Sequence, residues 1–433
     1  MPGQPTLSCD VLVCGGGIAG TMAAVAAARH GADVVLVERY GFLGGNATAG
    51  AVGQFNSWQT ANGRRIIAGL AEEVVDRLRT YGGAGQHEVF VMSNGHTMDR
   101  VPYAPEVLKL VLDDMVTDAG VRVLFHANLL SVECRARKVE QVQLLTKSGV
   151  LEFAPRTLID ASGDIDALNR AGVRLLSLDA GETLQPATMM FRFGPMDFVR
   201  FGAIPKPYLG ELARRGFEKG DLARAALHAS PDPFSQDGWF NIGRLGIDAT
   251  DSMSLSRAEI EGRRQAWRAA AYLKAAVPGC ENGRLQAFAT QVGVRETRRV
   301  EGDHVLTVDE LLQSRPFADA IAAGAYPVDI HPAAGGDLVY KTFDADHAYQ
   351  IPYRSLIPAD LDNALAVGRG ISATHEALAA IRVMTISMAV GQAGGTAAAL
   401  ASLETGGLSR LVPIGRLQKI LQADGACLES AEV

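Results

Sequence analysis

Two groups of residues in this sequence have the types and spacing to do chemistry. The first is Gly15, Gly17 and Gly20 in CGGGIAG, followed roughly 20 positions later by Glu38 at the end of an apolar run. Glycine at 15 permits a tight turn, at 17 it lets the main chain approach a pyrophosphate, and at 20 it lets a helix pack closely on a strand. A helix starting at Ile18 and Ala19 offers unpaired N–H groups and a positive dipole end to the phosphates. Glu38, with Arg39 beside it, is placed to accept hydrogen bonds from a ribose hydroxyl. The second group lies far downstream: Arg295 in VRETRRV, His331 in YPVDIHPA, His375 in ISATHEA and Arg382 in IRVMT. Imidazole moves protons and guanidinium binds anions, which is what taking a hydride and a proton from a carbon centre requires. Lone histidines also serve structure. The Arg295 segment, 294–307, reads first as a surface strand of ion pairs; its sharper reading is that one arginine grips a substrate carboxylate. Glu376 and Tyr353 are further acid or base candidates.

The elements that must position these groups are legible from periodicity. Val11–Val13 is a short strand, Ile18–Arg29 an alanine-rich helix stopped by Gly31, and 33–37 a second buried strand, which together form a βαβ unit. A second glycine pair, Gly44 and Gly45 in FLGGNAT, implies that the main chain runs on along an extended cofactor, with Asn46 and Thr48 either beside it or capping the next turn. Helices are expected at 66–79 and from Pro105 to Gly120, then a strand at 121–127 and a three-stranded antiparallel meander ending in IDASGDIDAL. There Ala161, Ser162 and Gly163 close a strand where open α/β sheets bind ligands, and Asp164 and Asp166 are expected to cap a helix rather than hold a metal. Near the C-terminus, 363–370 reads as a strand ending in Gly368 and Gly370. Residues 382–402 read as a Gly/Ala-rich helix whose start, Arg382, Val383 and Met384, faces something anionic; otherwise Arg382 pairs with Glu376. Between them Ala187–Phe193 is strand-like and Asp251–Ala276 helical.

Composition narrows the classes. The 433 residues are 48% hydrophobic, enough for a large core, and a formal charge of -7 gives no positive field for nucleic acid or an anionic membrane. Five scattered cysteines without a CxxC pair exclude thioredoxin-type, iron–sulfur and zinc sites. No stretch of about twenty residues reads as apolar enough to span a bilayer, and the N-terminus lacks a signal pattern, so a cytoplasmic location is expected.

The order GGGIAG, VERYGFLGG, LIDASGDIDA, VRETRRV and AVGRGISATHEALAAIRVMTISMAVGQAGGTAAALA resembles the bacterial FAD-dependent oxidoreductase family within the glutathione reductase-like flavoproteins. It is distantly similar to fumarate reductase and succinate dehydrogenase flavoproteins. The resemblance implies noncovalent FAD, redox chemistry on a small organic substrate, and the flavin pyrimidine edge as the anionic partner of the C-terminal helix. The expected architecture is α/β: a Rossmann-like FAD-binding domain with a central parallel sheet and antiparallel meander in 1–175 and 351–433, and an inserted α+β substrate or cap domain in 176–350. The leading expectation is a dehydrogenase or reductase moving a hydride between substrate and flavin N5. Its electron donor or acceptor is not encoded here, and the chain could form a homo-oligomer. A monooxygenase or oxidase using O2 is the alternative, and an electron-relay subunit the third reading.

Overall fold

Branched aliphatic runs at Leu7–Cys14 and Val34–Val37 are buried on both faces, as strands covered on each side by helices must be. They pair in parallel, Val11 beside Val34 and Val13 beside Leu36, with the crossover helix Ile18–Arg29 between them in sequence. The structure, a computed structural model, describes residues 6–91, 95–331 and 339–429. The seven-stranded main sheet continues with Arg122–Leu124 on the far side of Val34–Val37 and with Gly149–Asp160 on the other side of Leu7–Cys14. The first part of Gly149–Asp160 pairs antiparallel with Lys138–Thr146, which pairs with Asn128–Arg135; its last residues pair in parallel with Ala364–Ala366. The fold is therefore mixed α/β, with a parallel centre extended by the antiparallel meander.

A second, antiparallel sheet is ordered Ala229–Pro231, Gly238–Phe240, Phe191–Gly194, Arg284–Phe288. Phe191 and Phe193 meet Phe240 across it, and the helix Ser252–Ala276, N-capped by the Asp251 carboxylate, packs into the same core. This second core draws on residues 187–294 together with Ala51. Leu306, Phe317, Ile321, Val328 and Tyr349, within the segment read as an insertion, pack instead into the core of the main sheet's helical face.

Two helices control that face. Ile18–Arg29 is buried from Ile18 to Ala27, and Met384–Glu404 is buried along nearly its whole length. Their contact is made of glycine: a Cβ on Gly391 would lie 2.2 Å from the Ala19 carbonyl oxygen, and one on Gly395 2.0 Å from that of Ala23. The equal steps show that the two helices run parallel in register. The Met384 end consequently overhangs the Ile18 end by about six residues, roughly 9 Å.

Several boundaries differ from the sequence reading. The helix expected at 66–79 is Leu70–Thr80, because Ile66 and Ile67 donate their N–H groups to Trp58 O and enter the core before Gly69 turns the chain at φ +66°. The strand at 121–127 stops at Leu124, where His126 adopts φ +53° and its N–H bonds Tyr40 O. Ala364–Ala366 is the strand in 363–370, and Gly368–Gly370 forms a 3-10 turn. The single helix expected from 382 is preceded by another, His375–Ile381, with the chain breaking at Arg382 and Val383. The 294–307 segment is irregular rather than a surface strand, with Glu296 and Arg299 buried. Met384–Glu404 does meet the length and composition of a membrane span, contrary to the reading that no stretch does, but 89% of its apolar window is buried: it is apolar all round because protein surrounds it.

Alanine raises helix propensity over glycine by about 1 kcal/mol, yet at 395 its methyl would overlap a backbone oxygen. Gly395→Ala is expected to lower stability by about 1–3 kcal/mol through overpacking. Gly210→Ala, in an exposed helix with nothing near the added carbon, is expected to raise it by about 0.5–1 kcal/mol. Thermal unfolding of the two variants checks both signs.

Candidate functional site

A cleft of about 420 Å³ opens where the strands of the main sheet end. One wall is the turn after the first strand. Gly15 holds φ +106°, and a Cβ there would lie 2.6 Å from the Ala161 carbonyl oxygen, so the two strand-end turns touch backbone to backbone. Gly20 lies behind the cleft, where a Cβ would lie 1.9 Å from Gly15 O; it sets the close packing of helix on turn. The Ile18–Arg29 helix has neither a side-chain N-cap nor an acidic residue in its first turn, so its positive end faces the cleft uncompensated at Ile18 and Ala19.

Gly44 and Gly45 lie across Gly17, with Gly44 N–H donating to Gly16 O at 2.8 Å, and both adopt positive φ. A Cβ on Gly45 would come within 3.0 Å of Gly17 Cα. The pair is therefore required by the first glycine turn as well as lining the cleft. Glu38 lines the cleft too, and its two carboxylate oxygens accept from Gly16 N and Tyr40 N at 2.8 and 3.0 Å. Arg39 and the Tyr40 hydroxyl bond the Gln291 amide oxygen, Gln291 N bonds Ala49 O, and Asn46 Nδ2 donates to Val294 O at 2.9 Å. These bonds tie 39–49 to 291–294 along the cleft. Thr48 stands apart: it is buried, its hydroxyl donates to Leu43 O, and it closes a turn instead of facing the cleft.

At the next strand end, Asp160 is fully buried, and its carboxylate accepts from Ser162 N and Oγ and from Ala167 and Leu168 N–H. Asp160 thus caps the short helix Asp166–Arg170, a role expected of Asp164 and Asp166. Those two instead bind cations: Asp164 accepts from Arg369 Nη2 at 3.1 Å and Asp166 from Arg298 at 3.2 Å. Gly163 needs its φ of +78° and its bare α-carbon, since a Cβ would lie 2.6 Å from Arg369 Nη2. Arg369 is a cleft residue that the sequence reading passed over. Its Nη1 is buried without a hydrogen-bond partner, and the adjoining Gly368 lies against Ala19 at the start of the first helix.

The overhanging end of Met384–Glu404 reaches the far end of the cleft, where Arg382, Met384 and Ser387 line it and Val383, between them, is the N-cap residue. That helix end also has no side-chain cap and no acidic residue in its first turn. Arg382 does not pair with Glu376, which binds Lys341 at 2.8 Å. Its Nη2 donates to Gln185 Oε1 at 3.2 Å and to Asp329 O at 3.1 Å, and its guanidinium lies 3.7 Å from the Asp329 carboxylate.

Behind Arg382 the other candidates gather in a buried polar cluster. His375 Nδ1 and Glu296 Oε1 are 2.8 Å apart, and Glu296 Oε2 accepts from Gln185 N. His331 Nε2 is 3.3 Å from Asp329 Oδ2, which also accepts from the Tyr326 hydroxyl. Burial, reinforced by the Arg295 charge, pulls the His331 imidazole down to about 3, so it is neutral at ordinary pH. Burial works against charge on Asp329, but the His331 hydrogen bond, the Arg382 guanidinium and the Tyr326 hydroxyl outweigh it and hold the carboxyl below its usual range. Arg295 donates to Pro186 O, Thr188 Oγ1 and Asn241 Oδ1. Burial and the nearby Arg382 charge bring it down to about 9. Tyr353 does not belong here; it is fully buried, with its hydroxyl on Ser409 O. Gln185 and Asp329 were not singled out from sequence. Asp329 had one local signal, its place two residues before His331 in an alternating strand facing Tyr340.

Bare glycine backbone beside an uncapped helix start, with the half-buried Arg369 holding an unpartnered Nη1 nearby, is what a dinucleotide cofactor requires. The chain belongs to the FAD dependent oxidoreductase family, whose model matches residues 10–421; it is an FAD-dependent enzyme. The fold resembles that of a geranylgeranyl bacteriochlorophyll reductase-like protein from Thermoplasma acidophilum, with 13% identity, 97% of this chain and 84% of that one covered, and a TM-score of 0.50. L-proline dehydrogenase from P. horikoshii aligns at 12% identity over 98% of this chain and 99% of its own, with a TM-score of 0.44. For p-nitrophenol 4-monooxygenase from Pseudomonas putida DLL-E4 the figures are 11%, 96%, 83% and 0.44. No curated protein matches in sequence.

The residues present fit FAD. The bare glycine backbones leave room for its pyrophosphate, the first helix start offers N–H groups and a positive dipole end, and Arg369, though paired with Asp164 through Nη2, keeps an unpartnered donor at Nη1. Arg369→Met is expected to raise the FAD dissociation constant about tenfold or more. Glu38→Ala is expected to weaken retention as well, partly by releasing Gly16 N. Fluorescence titration of the apoproteins measures both, and unchanged affinity would remove the residue concerned from the cofactor site.

Proposed function

We propose that the protein is an FAD-dependent dehydrogenase that oxidises a small organic alcohol or amine by hydride transfer to flavin N5, with His375 taking the accompanying proton. Bound FAD supplies the two-electron acceptor. The observation that carries the reading is the hydrogen-bonded continuity from Arg382, at the far end of the cleft, through Gln185 to the Glu296–His375 pair.

Gly15, Gly17, the starts of both helices and Arg369 would hold the cofactor along the cleft, and Arg382, Val383 and Met384 would face its flavin part. There the helix dipole favours negative charge by about 0.3–2 kcal/mol, and Arg382 adds to it. Glu296, buried and acceptor-only, fixes the His375 tautomer with its proton on Nδ1, which leaves the Nε2 lone pair as the base. Buried surroundings exclude water from the pair, so the proton leaving the substrate hydroxyl or amine goes to Nε2 while the carbon-bound hydrogen leaves with its electron pair. His331, neutral and turned to Asp329, positions that carboxylate rather than shuttling protons. Ala249, Leu255, Gln291 and Val292 of the 187–294 segment also line the cleft, and the electrons leave to an acceptor outside the chain.

His375→Ala is expected to slow anaerobic flavin bleaching by a reactive alcohol or amine about 100- to 10,000-fold with FAD content unchanged, and Glu296→Gln to slow it less. Stopped-flow absorbance measures both. Product oxygen labelled from O2, or bleaching rates untouched in His375→Ala, would overturn the reading.

A further inference from the structure

We propose that the substrate is an organic carboxylate whose anion binds between Arg295 and Arg382; calling that anion the substrate rests on the dehydrogenase reading, while its binding does not. The argument begins with uncompensated charge. Arg295 is oriented by three acceptors, a backbone carbonyl, a hydroxyl and an amide oxygen, all of them neutral. Two neutral oxygens hold Arg382 in the same way. Among the described residues, the carboxylate that faces these guanidiniums is Asp329, 3.7 Å from Arg382; its Oδ2 is engaged by Tyr326 and His331, while its Oδ1 is buried without a hydrogen-bond partner. Half-buried Arg224 also faces Asp329 and adds to the positive excess. The second carboxylate nearby, Glu296, is committed to His375 and lies 3.8 Å from Arg299. Largely buried cations that outnumber the carboxylate facing them are costly, and an arriving anion offsets that cost.

Hydrogen bonding points the same way. Arg382 Nε and Gln185 Nε2 are buried N–H donors without acceptors, on two side chains that hydrogen-bond one another and of which Arg382 lines the cleft. The paired oxygens of a carboxylate supply two acceptors together with the missing charge, whereas a neutral carbonyl supplies acceptors only. Arg382 lines the cleft, so an anion bound there adjoins the cofactor's reactive end.

The test uses the FAD-loaded full chain and visible difference spectroscopy with acetate, glycolate and benzoate, each against its amide. At least one carboxylate is expected to perturb the flavin spectrum saturably and to bind at least about tenfold more tightly than its amide. Arg295→Met should abolish that preference with FAD content unchanged, and Arg295→Lys should keep part of it. Amides binding as well as carboxylates, no binding by any carboxylate, or an unaltered preference in Arg295→Met would overturn the proposal. Carboxylate preference without anaerobic bleaching by any hydroxy or amino acid would leave the anion site standing and overturn the dehydrogenase reading instead.

Discussion

The contact between the Ile18–Arg29 and Met384–Glu404 helices is the constraint on which the rest of this molecule depends. It joins segments from opposite ends of the chain, and it is possible only because Gly391 and Gly395 let one helix lie against the carbonyl oxygens of the other. Parallel register brings both positive helix ends to the same cleft, and the overhang separates them along it. One end can then serve phosphates while the other serves a ring. A bulkier seam would part the helices and carry one of the two ends away.

How far the sequence discloses such a structure depends on whether a signal is local. The βαβ unit, Glu38, the meander and the Asp251-capped helix all follow from periodicity and punctuation within a few dozen residues. Gly44 and Gly45 are visible as an anomaly, but their need for Gly17 is not, because that contact is tertiary. The 294–307 segment shows the limit from the other side. Its alternating charges look like a solvated strand, whereas Glu296 and Arg299 are interior and Arg295 is turned onto Asn241 and Thr188. Charge pattern alone does not encode burial. Gln185 sits in a stretch with no period of its own, and Asp329, for all its place in a short strand before His331, acquires meaning with it only when four distant segments meet. The break at Arg382 and Val383 was hidden because the residues on both sides favour helix, and what stops the first turn is the engagement of Arg382 with Gln185 and Asp329.

The polar cluster is built on opposed demands. Low-dielectric surroundings disfavour every charge in it, yet Asp329 stays ionised because cations and hydroxyls converge on it, and His331 stays neutral beside it. Burial and the neighbouring Arg382 charge loosen the hold of Arg295 on its proton, so the cluster favours an incoming anion. Stability and reactivity are thus set against each other in one place, the arrangement by which sites are distinguished from ordinary cores.

The bonds that tie 39–49 to 291–294 have a temporal consequence. Asn46, Gln291 and Val294 form a strap along the cleft, drawn from parts of the chain synthesised some 250 residues apart. Parting 39–49 from 291–294 breaks these bonds together, so opening of the strap is a cooperative local event, and exchange of a cofactor held against it would be coupled to that opening.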